Sequence, residues 1–211
     1  MTERDRERWD ERYREGFGAS SAPSGLLTAY VDDLPRGRAL DVATGTGRNA
    51  RFLAGRGYEV DAVDISRVAL TEARARAAEQ GVSVDWVQAD LDDFEFPRGV
   101  YDVVSVSFYY LPERLPDLAA ALADGGVLAY EHAVKSAEPV DRGPSARYRY
   151  DSNELLDAAR DHGLTVLYYE EVTEETEGGR AATARLLARN STGGAQRYPH
   201  RRGDPATPDA R

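Results

Sequence analysis

The segment Ala39-Leu40-Asp41-Val42-Ala43-Thr44-Gly45-Thr46-Gly47 constrains the fold more than any other stretch. A short strand-forming run, 39–43, passes straight into a turn punctuated by two glycines, and a helix follows over 47–55. The same alternation continues down the chain. Strands are expected at 58–64, 82–88, 101–108 and 126–132. Helices are expected at 67–80, 112–123 and 152–162. Ser66 suits the N-cap of the first of these helices and Gly81 ends it. Pro112 fits the first turn of the next, and Asp151 with Glu154 makes a D-x-x-E capping pattern for the last. Strands alternating with helices make a parallel sheet covered on both faces. The final strands, 164–171 and 180–188, are joined by an acidic, glycine-containing turn too short for a crossover helix. They must therefore pair as an antiparallel hairpin. The expected fold is α/β, a Rossmann-like doubly wound, mostly parallel sheet with a C-terminal antiparallel hairpin.

Three divisions follow. Residues 1–35 read as an N-terminal helical lid, 36–189 as the Rossmann-like domain and 190–211 as a disordered tail rich in Gly, Pro and Arg. Within the lid, 2–15 is a charged helix with Trp9 and Tyr13 four residues apart on one side, and 16–21 is a loop. A second helix opens at Ser21 or Ala22, ahead of Pro23, and runs to about Leu34.

Composition narrows the partners. The 211 residues carry a net charge of −10, which disfavours a nucleic acid, since phosphate binding needs a basic surface. The acid excess resembles that of salt-adapted proteins, whose carboxylates keep the surface solvated. There are no cysteines, and the three histidines, at 132, 162 and 200, are scattered, so no metal site is expected. No apolar run has the length of a membrane helix, and the charged N-terminus has no signal-like apolar core. A cytoplasmic protein without a membrane partner is expected.

Gly45 and Gly47 let a ligand approach the backbone closely at a helix start, where free N–H groups point outward. Asp64 ends the second strand seventeen residues after Gly47, where a carboxylate can accept both hydroxyls of a ribose. These features are shared by more than one ligand class. Gly45-Thr46-Gly47-Arg48-Asn49-Ala50 also fits the dinucleotide pattern G-x-G-x-x-G/A, and glycines at such a turn can serve packing alone. Asp41 separates the readings. A pyrophosphate would not welcome a negative charge inside the first strand, whereas a cationic amino group would. Asp90, ending the third strand, can accept from an adenine amino group.

At these residues the chain resembles the class I S-adenosylmethionine-dependent methyltransferases, over about 39–189. The likeness rests on Ala39–Gly47, Val60-Asp61-Ala62-Val63-Asp64, Gln88-Ala89-Asp90 and Tyr101-Asp102-Val103-Val104. The family pattern D/E-x-G-x-G-x-G has glycine where this chain has Ala43. The resemblance implies S-adenosyl-L-methionine as cofactor. Asp41 and the loop Ala43, Gly45 and Gly47 would hold the methionine part, Asp64 with Ile65 the ribose, and Asp90 with Leu91 the adenine. Ser107 and Phe108 would line the floor. Gly47-Arg48-Asn49-Ala50 and Trp9-Asp10-Glu11-Arg12-Tyr13 look like the small tellurite-resistance and thiopurine-type members.

Methyl transfer from a sulfonium needs positioning more than a catalytic triad. Tyr109 and Tyr110, just past the fourth strand, could favour a sulfonium or orient an acceptor. Glu131 and His132 end the fifth strand near the same rim, and His132 could act as a base. Arg48 could steer an anionic acceptor or the cofactor's carboxylate. Of the 133–150 connection, Arg142, Arg147 and Arg149 could cover a bound ligand. The expected acceptor is a small molecule, with a thiol or another chalcogen nucleophile as the leading class. A non-catalytic cofactor-binding partner or sensor, and an NAD-dependent oxidoreductase, are the alternatives.

Overall fold

Seven strands form one sheet in the order β3-β2-β1-β4-β5-β7-β6. The computed structural model describes residues 3–18, 22–176 and 178–191. The strands are β1 (Arg38–Val42), β2 (Glu59–Asp64), β3 (Asp85–Gln88), β4 (Tyr101–Ser107), β5 (Leu122–Ala133), β6 (Thr165–Thr176) and β7 (Gly179–Arg189). The first five are mutually parallel, and β7 runs antiparallel to both β5 and β6. This is the expected Rossmann-like sheet with its terminal hairpin. The strand order reverses between β1 and β4, and ligands of such sheets lie beyond the carboxyl ends of the strands at that point.

The helices are α1 (Glu3–Arg14), α2 (Gly25–Tyr30), α3 (Arg48–Ala54), α4 (Arg67–Gln80), α5 (Leu115–Ala121) and α6 (Glu154–Asp161). Both sheet faces are buried, so the central strands read as nearly continuous apolar runs. One face packs Leu26, Leu27 and Tyr30 of α2 and Leu53 of α3 against Val103, Val127 and Leu187. The other packs Leu115 and Leu118 of α5 and Leu155 of α6 against Val104, Leu128 and Leu186. Ser66 caps α4 by accepting from the Ala69 N–H at 3.1 Å, and Gly81 closes it in the left-handed conformation at φ 66°.

Several boundaries differ from the sequence reading. The residue that caps α2 is Ser24, whose Oγ accepts from the Leu27 N–H, while Ser21 lies outside the described residues. Helix α5 stops at Ala121 and β5 begins at once, four residues earlier than expected. Pairing overrides propensity there. Leu122 aligns with Tyr101, and a Cβ on Gly126 would lie 2.6 Å from the Tyr101 carbonyl oxygen. Helix α6 starts at Glu154 rather than 152, after Asn153 turns left-handed, and the Asp151 N–H donates to Glu154 Oε2 at 2.6 Å. The supposed acidic turn is mostly strand. Glu170 and Glu174 of β6 both pair with Arg185 of β7 across the hairpin. The expected tail falls largely on 192–211, outside the described residues.

Candidate functional site

A cavity of about 560 Å³ opens over the carboxyl ends of β1, β2 and β4. Its floor is the loop from Ala43 to Thr46 with Ser107 and Phe108 of the β4 end, and Asp64, Ile65 and Leu91 line it further along. Trp9, Tyr13 and Phe17 roof it, with Tyr109 and Arg142 also in the wall.

The loop owes its shape to two buried carboxylates. Asp41 is 1% exposed, and its Oδ2 accepts from the Thr44 hydroxyl at 2.5 Å and from the Ala50 N–H at 3.2 Å. It thus ties the turn to the first residues of α3. Burial pushes its carboxyl up to about 6, against the hydrogen bonds that favour the charge. Asp64 accepts from the Gly45 N–H at 2.8 Å through Oδ2 and from the Ser66 N–H at 2.8 Å through Oδ1. Burial pushes it, too, up to about 6. Both of its oxygens retain a second lone pair, and unlike Asp41 it lines the cavity.

The two glycines have different duties. A Cβ on Gly45 would stand 2.7 Å from the Tyr13 hydroxyl, so its bareness keeps room under the roof. A Cβ on Gly47 would stand 2.5 Å from the Trp86 ring and 3.0 Å from Ala73 Cβ. Gly47 therefore serves helix packing at φ 74° and is absent from the cavity wall. Ala43 sits at φ 53°, a left-handed backbone with its methyl tolerated, where the resembled pattern carries glycine. Such a position costs an alanine about 1 kcal/mol. Phe108, at φ 57° and 52% exposed, is a bulky side chain held in the same unfavourable region at the cavity edge. Its N–H donates to the Glu131 carbonyl at 2.9 Å, which fixes the bend.

Polar side chains lock the floor to the lid side. The Asn49 Nδ2 donates to Ser107 Oγ at 3.0 Å, and its Oδ1 accepts from the Ser24 N–H at 2.8 Å. The Thr46 hydroxyl donates to the Gly18 carbonyl at 3.1 Å, and Arg48 donates to the Ala22 carbonyl at 3.3 Å while lying 5.9 Å from the Phe108 ring centre. Helix α1 and the turn after it bring Trp9, Tyr13 and Phe17 into one aromatic cluster, with centroids 5.6 to 6.1 Å apart. Asp10 anchors that helix. Its Oδ1 accepts from the Ser66 hydroxyl at 2.6 Å and the Val68 N–H at 3.2 Å, at the N-terminus of α4. The Tyr13 hydroxyl is pushed up by burial and by the nearby Asp64 charge, so it stays a neutral donor.

Of the residues singled out in the sequence, Ala43, Gly45, Asp64, Ile65, Leu91, Ser107 and Tyr109 meet in this cavity. Asp41 and Gly47 act one layer beneath it. Asp90 is half-buried and outside the lining, with its Oδ1 accepting from the Asp92 N–H at 3.0 Å. The expected rim position of Tyr110 and His132 needs correction. Successive strand residues face opposite sides, so Glu131 shares the Ser107 face and His132 the other. His132 is 2% exposed, meets the Tyr148 carbonyl through Nε2 at 2.8 Å, and packs between Tyr110 and Tyr150. Burial lowers its pKa, which suits a neutral core histidine. Glu131, 3% exposed, has an Oε1 with no hydrogen-bond partner among the described residues. Sequence pattern missed Asp10, Tyr13's contact with Gly45 and Phe17. The i, i+4, i+8 spacing of Trp9, Tyr13 and Phe17 was the available signal.

Residues 39–126 match the family described as a methyltransferase domain. The demethylmenaquinone methyltransferase of Thermus thermophilus is 37% identical over 98 residues, which is 43% of this chain and 44% of that protein. The chain thus spans less than half the length of this curated relative. TehB from Haemophilus influenzae superposes with a TM-score of 0.70 at 20% identity, over 86% of this chain and 67% of that one. A Methanosarcina mazei S-adenosylmethionine-dependent methyltransferase gives 0.66 at 16% identity, over 81% and 99%. At such identities the structural likeness speaks for the fold alone. None of the described helices is long and apolar enough to cross a membrane. Residues 39–126 thus carry a methyltransferase-domain match, and the fold around them is consistent with that of the S-adenosylmethionine-dependent methyltransferases.

Proposed function

We propose that the protein transfers a methyl group from S-adenosylmethionine to a small acceptor. The observation that carries this reading is Asp64, a buried carboxylate at the end of β2 that lines the cavity with lone pairs to spare. A carboxylate so placed can take both hydroxyls of a ribose. The cavity volume of about 560 Å³ suits a nucleoside-sized ligand with a compact partner. Ile65 and Leu91 offer apolar surface for the base, with Asp90 nearby for its amino group. The Ala43–Thr46 loop takes the methionine part. Bound there, S-adenosylmethionine supplies a methyl already activated on a sulfonium.

The chain's own residues bind, orient and exclude water. Trp9, Tyr13 and Phe17 close the site, so the lid is read as α1 and the turn after it, while α2 packs in the core. Tyr109, its hydroxyl pushed up by burial, stays neutral and can donate a hydrogen bond to an acceptor. Tyr110 and His132 have no part in this scheme. The described cavity wall offers Asp64 as its carboxylate, and the ribose claims it. A nucleophile that arrives ionised needs no base, which favours a small thiolate or a related soft chalcogen anion. The net charge of −10 disfavours a nucleic-acid acceptor. Radiolabelled cofactor incubated with separate pools of small thiols, chalcogen oxyanions, total RNA and total protein tests the acceptor class. Label entering RNA or protein alone would overturn it, and cofactor binding without turnover on any pool would favour a sensor.

A further inference from the structure

Arg142 lies in the cavity wall although it comes from the connection between β5 and α6, far from the cofactor loop in sequence. We propose that Arg142 recognises an anionic group on the acceptor, a carboxylate or comparable oxyanion distinct from the atom that is methylated. This deepens the methyltransferase reading and rests on it.

The stem of Arg142 is fixed from two sides. On one, the Asp141 and Arg142 N–H groups donate to the Arg180 carbonyl at 2.9 and 3.0 Å. Gly178 and Gly179, at φ 97° and 127°, lie beneath it. Cβ atoms there would come within 3.4 Å of Arg142 Nη1 and Cγ, respectively. On the other side, Arg149 holds the loop by donating to the Pro144 and Arg142 carbonyls at 2.8 and 3.0 Å. The guanidinium itself is exposed and forms no ion pair among the described residues. Neighbouring Arg180, on the same turn, pairs with Glu138, so a carboxylate partner was available to this loop and went elsewhere.

Charge decides what Arg142 awaits. The protein carries ten excess negative charges, yet the described cavity wall holds two arginines, Arg48 and Arg142, against one carboxylate, Asp64. A sulfonium brought into that wall adds a third cation. Like charges close together in a partly dry site repel strongly. The cofactor's own carboxylate can answer Arg48, which sits at the start of α3 beside the loop. Arg142 then faces the acceptor end. β5 stands three strand spacings from β2, so about 14 Å separates the strand that ends in Asp64 from the one that leads to Arg142. A guanidinium fork matches planar oxyanions bidentately, and Phe17, Phe108 and Tyr109 supply apolar surface around it.

Benzoate and benzamide, alike in shape and different in charge, test this by calorimetric titration of the full chain, with and without adenosylhomocysteine. Benzoate should bind at least tenfold more tightly. Arg142→Gln should abolish that preference while leaving adenosylhomocysteine affinity within twofold, and Arg142→Lys should keep part of it. Equal or absent binding of the two probes, or a preference that survives Arg142→Gln, would overturn the proposal. Failure of adenosylhomocysteine to bind would instead strike the methyltransferase reading, and the titration without it would still decide the role of Arg142.

Discussion

The floor of the cavity and its roof are held by different means. The floor, from Asp41 to Ala50, is stitched to strands and to α3 by buried hydrogen bonds from Asp41, Asp64 and Asn49. The roof is α1, a helix with no fully buried residue, docked by Asp10 and one aromatic stripe. Its surface ion pairs, such as Arg6–Glu3 and Arg14–Glu11, are exposed and stabilise it little. The contrast teaches that the binding surface is made rigid where geometry matters and left separable where a ligand must enter. A segment with few buried contacts opens at a small fraction of the global stability.

The strongest challenge to a rigid floor is Gly47→Ala. The added methyl meets Trp86 and Ala73 on a left-handed backbone, so stability should fall by about 2–4 kcal/mol. Urea unfolding measures it, and a loss below about 0.5 kcal/mol would mean that the floor yields.

Asp64→Ala should weaken adenosylhomocysteine binding by about 1–3 kcal/mol, because a charged acceptor facing the cavity is lost. The same carboxylate gives a pH signature. Its pKa in the fold is raised by burial to about 6, above the ordinary aspartate value of 3.8, so between these the folded state holds the extra proton. Stability from this group is therefore greatest at low pH and declines as pH rises toward 6, and the buried Asp41 adds in the same sense. Binding runs the other way. A proton on Asp64 removes acceptor capacity, so affinity should fall as pH drops through about 6, and Asp64→Asn should flatten that slope.

The roof should respond to a lighter touch. Asp10→Ala removes its bonds to Ser66 and Val68 and should cost about 1 kcal/mol of closure, roughly a fivefold weaker ligand. The global melting temperature should barely move, and hydrogen exchange should show faster opening of α1 alone. Equal losses in melting temperature and affinity would make α1 part of the core. The smallest effect concerns the whole surface. If the acid excess is a salt adaptation, the melting temperature should rise by a few degrees between dilute buffer and molar potassium chloride, as self-repulsion is screened.

Much of the floor was legible in the sequence, because backbone turns announce themselves. Gly45, Gly47 and Asp64 stand where a strand must turn into a helix, and the hairpin followed from a link too short for a crossover. What stayed hidden was the direction of side chains at strand ends. A shift of one residue changes the face, so Glu131 rather than His132 shares the side of Ser107. Asp41 is expected as a ligand, and the structure shows it buried and bracing the turn through Thr44 and Ala50, since pattern does not tell which lone pairs the fold consumes. Helix α5 ended early because its last residues found strand partners, which local propensity cannot foresee. Arg142, anticipated in the 133–150 connection, does meet the cavity wall, whereas the anchoring of α1 by Asp10 on Ser66 and Val68 is a tertiary contact distant in sequence.

The most direct measurement is the melting temperature of the full chain with saturating adenosylhomocysteine and, separately, with NADH. A ligand present at about a hundred times its dissociation constant adds roughly 2.7 kcal/mol to the stability of the state it binds. A clear upward shift with adenosylhomocysteine, none with NADH, and loss of the shift in Asp64→Ala is the predicted result. A shift with NADH alone would contradict the methyltransferase reading and return the Gly45–Ala50 loop to the dinucleotide class.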